Sequence, residues 1–221
     1  MRTDAIYGSL PVDLGLVDIS PVEQMAWLYC PIKLPSQLVV TMPPNLWQFM
    51  PIINAVIDDV VDTDADLWPD SYVYLTAKRL WVTADSPGNR PGWHSDGFLT
   101  DDLNYIWSDG NPTVFWSRET QKVSFIADHV GSIPEMELIC ETDRFRHHIY
   151  SNKHLLRLDQ TVMHRVGPVA NPGFRSFVKV SVAKDLYALE GNSINHGLPI
   201  GGRYQARAEV RNNPAGRSDA L

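Results

Sequence analysis

The sequence predicts a mainly β protein, arranged as a sandwich or a barrel with a few flanking α-helices. From residue 71 onward, short runs rich in β-branched and aromatic residues follow one another. Turn signals such as Asp109-Gly110 and Ala170-Asn171-Pro172-Gly173 separate these runs. Many short strands divided by turns are typical of folds that stack two sheets or close one sheet on itself.

The first 70 residues predict a segment that wraps around the core and contributes one helix. Proline and short apolar runs dominate residues 1–45, which favours short strands and loops. Residues 45–61 then carry apolar side chains three and four positions apart, which predicts a helix bent near Pro51. The residues that set this spacing are Leu46, Phe49, Ile53, Val56, Ile57 and Val60.

The strands of the core follow between residues 71 and 185. Alternating residues or short apolar runs predict strands over 72–82, 103–108, 112–116, 123–126, 155–158, 161–169 and 174–183. Because turn signals lie between them, we expect 103–108 to form a hairpin with 112–116, and 161–169 with 174–183. Residues 130–147 lack a clear period and predict a loop with one helical turn.

Length and composition favour one soluble domain. The chain has 221 residues, and we divide it into an N-terminal wrap and helix (1–70), a core (71–185) and a C-terminal extension (186–221). A formal net charge of −7 disfavours bulk binding of nucleic acid, which selects basic surfaces. We find neither a signal peptide nor a membrane-spanning run, and we expect two buried, reduced cysteines. The sequence therefore predicts a cytoplasmic protein that acts on a small molecule.

Two histidines and one carboxylate form the candidate metal site. His94 and Asp96 are two positions apart, so on a strand they point to the same face. His164 follows in another predicted strand. Two histidines with one carboxylate are the facial ligand set of non-haem Fe(II) oxygenases. The alternatives are a surface turn at Asp96-Gly97 and a core histidine at His164.

Arg175 is the candidate anion anchor. It lies 11 residues after His164, across the predicted turn at 170–173, and shares a strand face with Lys179. A guanidinium binds a carboxylate through two charge-assisted hydrogen bonds. Together, the metal and the arginine would hold a dicarboxylate, with one end on the metal and the other end on the arginine. The alternative for Arg175 is a salt bridge at the rim of the fold.

Here the sequence resembles the Fe(II)/2-oxoglutarate-dependent dioxygenases, over roughly residues 71–185. The likeness is closest to the prolyl-hydroxylase-like and phytanoyl-like members of that superfamily. The segments that carry it are Trp93-His94-Ser95-Asp96-Gly97, Gly110-Asn111-Pro112-Thr113-Val114-Phe115, His164-Arg165-Val166-Gly167-Pro168-Val169 and Gly173-Phe174-Arg175. The resemblance implies a double-stranded β-helix (jelly roll), with Fe(II), 2-oxoglutarate and O2 as the reactants besides the substrate.

The resemblance also implies roles for individual residues. His94, Asp96 and His164 would bind iron, and Arg175 would bind the distal carboxylate of 2-oxoglutarate. The serine that some relatives carry two places after this arginine is one place early here, at Ser176. The second contact to the co-substrate therefore falls to Thr113 or Tyr105. Candidates for lining the substrate pocket are Trp93, Trp107 and Lys179.

The predicted activity is hydroxylation of an unactivated C–H bond in a small-molecule or amino-acid-type substrate. Asp96 favours hydroxylation, because halogenating relatives carry a small residue at this position. Two alternatives remain: a cupin-like isomerase or lyase that uses the same triad with another metal, and a non-catalytic β-sandwich binding module. Arg175 separates the oxygenase from the cupin-like alternative, since only an oxygenase of this kind needs a carboxylate anchor beside its metal.

Overall fold

Two antiparallel sheets form the described part of the chain, which in this computed structural model comprises residues 1–118, 123–198, 200 and 205–206. The strands are β1 Val12–Leu16, β2 Met25–Lys33, β3 Tyr72–Val82, β4 His94–Ser95, β5 Leu103–Ser108, β6 Thr113–Trp116, β7 His147–Ile149, β8 His154–Leu158, β9 Met163–Val166 and β10 Gly173–Ala183. The larger sheet has six strands in the order β1-β8-β5-β10-β3-β2, and the smaller has four in the order β4-β9-β6-β7. The mainly β prediction is confirmed.

The layers of the fold follow from which residues pack together. The face of the larger sheet that carries Tyr105 and Val180 packs against the helix α1 (Met50–Thr63). The opposite face of that sheet meets the smaller sheet through Ile106, Phe177 and Phe115. The far side of the smaller sheet packs against a second long helix, His129–Thr142. The order of layers is therefore helix, six-stranded sheet, four-stranded sheet, helix.

Helix α1 agrees with the spacing of apolar residues in the sequence. A 3-10 turn over Pro44–Phe49 precedes it, and Pro51 lies in its first turn, where proline removes no helical hydrogen bond. The bend predicted near Pro51 is thus the junction between the two helical segments. A one-turn helix, α2 (Leu67–Asp70), leads into β3.

Helix α3 (His129–Thr142) replaces the loop predicted over residues 130–147. The sequence does not predict this helix, because Pro134 lies inside the segment and its apolar residues show no helical period. The helix nevertheless has a regular start, because the carboxylate of Asp128 accepts a hydrogen bond from the backbone N–H of Gly131. Met136 and Cys140 on one side of the helix are buried against the smaller sheet.

The two predicted hairpins are wrong. β5 and β10 belong to the larger sheet, whereas β6 and β9 belong to the smaller one. The connections 109–112 and 167–172 therefore cross between the sheets instead of joining paired neighbours. Turn residues predict where the chain reverses, but the reversal here carries each new strand into the facing sheet. Arg175 and His164 consequently lie in different sheets and not along one ladder.

Gly167 belongs to the crossing 167–172 and lies against Pro112 of the crossing 109–112. A Cβ at this position would lie 2.4 Å from the backbone carbonyl oxygen of Pro112. We expect Gly167→Ala to lower the free energy of unfolding by about 3 kcal/mol, because backbone must move to admit the methyl group. Urea denaturation measures this. Gly173→Ala is the matched control, since a Cβ there meets nothing within 4 Å; equal losses in both variants would contradict the expectation.

Three further observations concern the rest of the chain. Both cysteines are buried and free, as expected. None of the helices in the described residues combines the length and hydrophobicity of a bilayer-spanning segment. Most of the predicted C-terminal extension lies outside the described residues, which beyond 198 include only 200 and 205–206.

Candidate metal centre

His94, Asp96 and His164 converge at one point of the smaller sheet. His94 on β4 pairs directly with His164 on β9, and their ring centroids are 4.5 Å apart. β4 ends at Ser95, and Gly97, with φ of +70°, turns the chain so that Asp96 lies beside both rings. One potential ligand atom from each of the three residues lies within 4.8 Å of the others.

Backbone carbonyls orient both imidazoles toward this point. The Nδ1–H of His94 donates to the carbonyl oxygen of Gly92 over 2.9 Å. The Nδ1–H of His164 donates to the carbonyl oxygen of Val162 over 3.2 Å. Because each ring gives its Nδ1 proton to the backbone, its Nε2 lone pair remains for a metal. The Nε2 atom of His164 lies 3.5 Å from the Asp96 carboxylate.

Lys179 keeps Asp96 ionised. Its Nζ atom lies 2.7 Å from Oδ2 of Asp96 and donates to the hydroxyl of Tyr29 over 3.1 Å. Burial alone would raise the pKa of Asp96, but the charge of Lys179 holds it well below its usual value. Burial would lower the pKa of Lys179, yet Asp96 and Tyr29 raise it.

His94 is held as the neutral imidazole that a metal requires. Burial, followed by the neighbouring His164, lowers the pKa of His94 to about 3. The group therefore offers two imidazole nitrogens and one ionised carboxylate oxygen. This donor set fits Fe(II), which such ligands bind on one face while leaving positions open for other molecules.

Two cavities border the triad and share Tyr29, Arg90, His94, Asp96 and Lys179 among their lining residues. The larger cavity, of about 350 Å³, also includes His164 and lies between the sheets. Its other lining residues are Leu28, Thr76, Lys78, Asn89, Ile106, Thr113, Val166 and Phe177. The smaller cavity, of about 110 Å³, adds Ser95, Gly97, Phe98, Thr100, Asp102, Asn104, His129, Ser181, Tyr187 and Leu189.

Two of the predicted contact residues lie at these cavities. Thr113, at the start of β6, lines the larger cavity opposite Val166, its partner on β9. Lys179 lines both cavities and touches Asp96 directly. The contact of Thr113 with the co-substrate and the role of Lys179 in lining a substrate pocket stay predictions.

Tyr105 and Trp107 are corrections, because they point away from both cavities. The hydroxyl of Tyr105 donates to Asp59 of α1 over 2.7 Å. The indole N–H of Trp107 donates to the carbonyl oxygen of Val17 over 2.9 Å. Their alternation along β5 predicted that they share a face, but gave no sign of which face. Their neighbours Asn104 and Ile106 line the cavities instead.

Trp93 is also a correction. It is fully buried beside Met136 of α3, on the outer side of the smaller sheet. Its indole N–H donates to Glu141 over 2.8 Å, and Arg165 lies over its ring. Trp93 therefore anchors α3 against the strand that carries His94, and it does not line a substrate pocket.

Arg175 lies on the interior face but does not line the cavity that holds the triad. Its Nε–H donates to the backbone carbonyl oxygens of Gly110 and Asn111, over 2.9 and 3.1 Å. Its guanidinium carbon lies 5.1 Å from the centre of the Phe177 ring. Arg175 lines a separate cavity with the two crossing segments, and Phe177 lines the larger cavity.

Sequence reasoning missed Lys78 and His129. Lys78 lies on β3 on the same face as Thr76, where the strand also carries the adjacent charge of Arg79, and a lysine on an inward-facing strand position was the available signal. His129 lines the smaller cavity from the first residue of α3. No signal pointed to it, because the helix itself was not predicted.

Neither a protein-family model nor a curated protein matches this sequence. Among solved structures, EvdO2 from Micromonospora carbonacea var. aurantiaca, crystallised with 2-oxoglutarate, is similar with a TM-score of 0.33 and 13% identity over 64% of this chain. A full-length Neurospora crassa protein, crystallised with alpha-KG and 5-formyluracil, is similar with a TM-score of 0.33 and 12% identity over 67% of this chain. This chain covers 60% of EvdO2 and 52% of the Neurospora protein.

Proposed function

We propose that this chain is an Fe(II)- and 2-oxoglutarate-dependent oxygenase with the jelly-roll form of that superfamily. It forms a single domain over residues 1–221 and works in the cytoplasm. Its reaction is the hydroxylation of an unactivated C–H bond in a small-molecule or amino-acid-type substrate. The ligands of the iron are His94, Asp96 and His164.

One observation carries this proposal, namely the convergence of the three ligand atoms within 4.8 Å beside a cavity. A core histidine or a surface turn has no need of a second imidazole and an ionised carboxylate at the same point. The two Nδ1–H bonds to backbone carbonyls further support it, because they leave both Nε2 atoms directed at the shared position.

The protein residues prepare the site for the metal. Asp96 stays ionised and His94 stays neutral, so no proton has to leave either group before a cation binds. When bound, iron supplies the activation of O2 that couples decarboxylation of 2-oxoglutarate to substrate oxidation. His94, Asp96 and His164 would hold the ion from one side, which would leave room for the co-substrate and O2.

The larger cavity is suited to the co-substrate. Ile106, Val166 and Phe177 give it apolar walls that exclude water from the aliphatic part of a bound keto acid. Lys78, Arg90 and Lys179 line the same space, and among the described residues that line it Asp96 carries the single carboxylate. This excess of positive charge favours a dicarboxylate, and Thr113 supplies a hydroxyl for a further contact.

The smaller cavity is suited to the substrate that is oxidised. It shares His94 and Asp96 with the larger cavity, and polar groups such as Asn104, Ser181 and Asp102 line it. A molecule held there presents a C–H bond near the metal without displacing the co-substrate.

The proposal predicts turnover of 2-oxoglutarate by the iron-loaded full-length protein. Even without a primary substrate, we expect slow, O2-dependent formation of succinate above a metal-free control, and faster formation when a true substrate is added. Screening small molecules and amino acids for stimulated succinate release both tests and completes the assignment. Metal binding without turnover would favour the cupin-like alternative, and failure to bind metal would favour a binding module. Both results contradict the proposal.

A further inference from the structure

Helix α3 carries two carboxylates that both contact Trp93, the residue directly before the candidate ligand His94. Glu137 accepts a hydrogen bond from the backbone N–H of Trp93 over 2.8 Å. Glu141, one helical turn later on the same face of α3, accepts from the indole N–H of Trp93 over 2.8 Å. Because both carboxylates contact one residue, the position of α3 is fixed relative to the strand that carries His94.

The hydrogen bond to Glu137 comes from the same peptide group that orients the His94 ring. The carbonyl oxygen of the Gly92–Trp93 peptide accepts the Nδ1–H of His94 over 2.9 Å. The N–H of this peptide, which points the opposite way, donates to Oε2 of Glu137. A chain of two hydrogen bonds therefore connects the carboxylate with the imidazole through one planar peptide.

Hydrogen bonds linked in a chain strengthen one another. A carboxylate that accepts the N–H of a peptide polarises its carbonyl oxygen, which then accepts another proton more strongly. In metal sites, a carboxylate bonded to the second nitrogen of a histidine ligand fixes the ring orientation and raises its basicity. In this chain the Gly92–Trp93 peptide lies between Glu137 and the His94 ring and transmits the same effect.

His94 depends on this support more than His164 does. β4 is two residues long and lies at the edge of the smaller sheet, where its partner among the described strands is β9 alone. The Gly92–Trp93 peptide precedes β4 and lies outside this ladder. β9, which carries His164, pairs with β4 on one side and with β6 on the other. The sheet thus holds His164 from two sides and His94 from one.

We infer that Glu137 is a positioning residue for the metal site. Acting through the Gly92–Trp93 peptide, it holds His94 in the tautomer that directs Nε2 at the metal. The effect on metal binding rests on the proposed function, whereas the tautomer is a property of the metal-free protein. Loss of Glu137 is expected to weaken Mn(II) binding by about 10-fold, the lower end of the range for groups that support a ligand from behind.

The test applies two measurements to full-length Glu137→Ala. Nitrogen-15 NMR of the metal-free protein reports which ring nitrogen of His94 carries the proton, with the signals assigned by their absence in His94→Gln. Calorimetric titration reports the Mn(II) affinity. We expect the parent protein to keep the proton on Nδ1, and the variant to show a mixture of tautomers together with the weaker binding of Mn(II).

Three further variants separate the hydrogen bond from the charge and from the fold. Glu137→Gln keeps an oxygen acceptor at the same reach, so it should recover most of both properties. Glu137→Asp keeps the charge but shortens the side chain, so it should resemble Glu137→Ala and replaces that variant if the alanine protein does not fold. Glu135→Gln is the matched control, because Glu135 lies on the same helix but pairs with Arg2 at the surface.

The possible results are distinguishable. The inference is overturned if folded Glu137→Ala or Glu137→Asp keeps either the His94 signals or the Mn(II) affinity of the parent protein. It is also overturned if Glu135→Gln changes both properties to the same extent, since the effect would then be one of charge on α3. If the parent protein binds no Mn(II), the proposed function fails, and the NMR comparison still decides whether Glu137 sets the tautomer of His94.

Discussion

A His164→Ala variant is expected to lose metal binding and all activity that depends on it. His164 is one of the three proposed ligands and lies directly opposite His94, so its removal would leave only one imidazole and one carboxylate. Affinity for Mn(II) should fall by more than about 100-fold, since loss of an outer-shell partner alone costs up to that factor. Calorimetric titration with Mn(II) and succinate formation with Fe(II) measure the two effects.

His154→Ala is the matched control for this prediction. His154 lies at the start of β8, bonds to Asp13 at the surface, and belongs to the other sheet. It should retain metal affinity and turnover. If His164→Ala remains folded and binds Mn(II) as tightly as the His154 variant, His164 is not a ligand. The oxygenase proposal would then fail with it.

A Lys179→Met variant is expected to be strongly destabilised without metal and much less so with it. In the metal-free protein the Lys179 ammonium lies 2.7 Å from Asp96, and its removal leaves a mostly buried carboxylate without this counter-charge. Breaking a buried pair costs about 3–5 kcal/mol. Because the Asp96 side chain keeps 21% of its exposure, we expect about 2–3 kcal/mol here.

The dependence on metal distinguishes this effect from simple loss of packing. A divalent cation bound to Asp96 replaces the missing charge, so Mn(II) should stabilise Lys179→Met more than it stabilises the parent protein. Urea denaturation with and without Mn(II) gives both free energies. Lys184→Met, at an exposed position, should show neither effect. Equal destabilisation of Lys179→Met in both conditions would contradict the assigned role.

Local patterns in the sequence predicted the elements that position the site. The alternation in 72–82 corresponds to β3 and the run at 155–158 to β8, while the three- and four-residue spacing corresponds to α1. The sequence also brought His94, Asp96 and His164 together, as the structure does. The strands and the helix depend on neighbours in the chain, which periodicity records, whereas the triad was predicted from the ligand set that its residue types form.

Partners distant in the chain could not be predicted in this way. Turn residues at 109–112 and 170–173 marked reversals, but the pairing of β5 and β10 with each other required knowledge of both sheets. For the same reason Tyr105 was assigned to the cavity, although its hydroxyl bonds to α1. Alternation fixes which residues share a face and leaves open which layer covers it.

The division of the site between the two sheets has a consequence for how specificity can diverge. The proposed ligands come from β4, β9 and the turn after β4, whereas Lys78, Ile106, Phe177 and Lys179 come from the facing sheet. If the proposed function holds, most substitutions on β3, β5 or β10, apart from Lys179, would reshape which reactants bind without changing the residues that hold the metal. The smaller sheet would then carry the chemistry, and the larger sheet the choice of reactants.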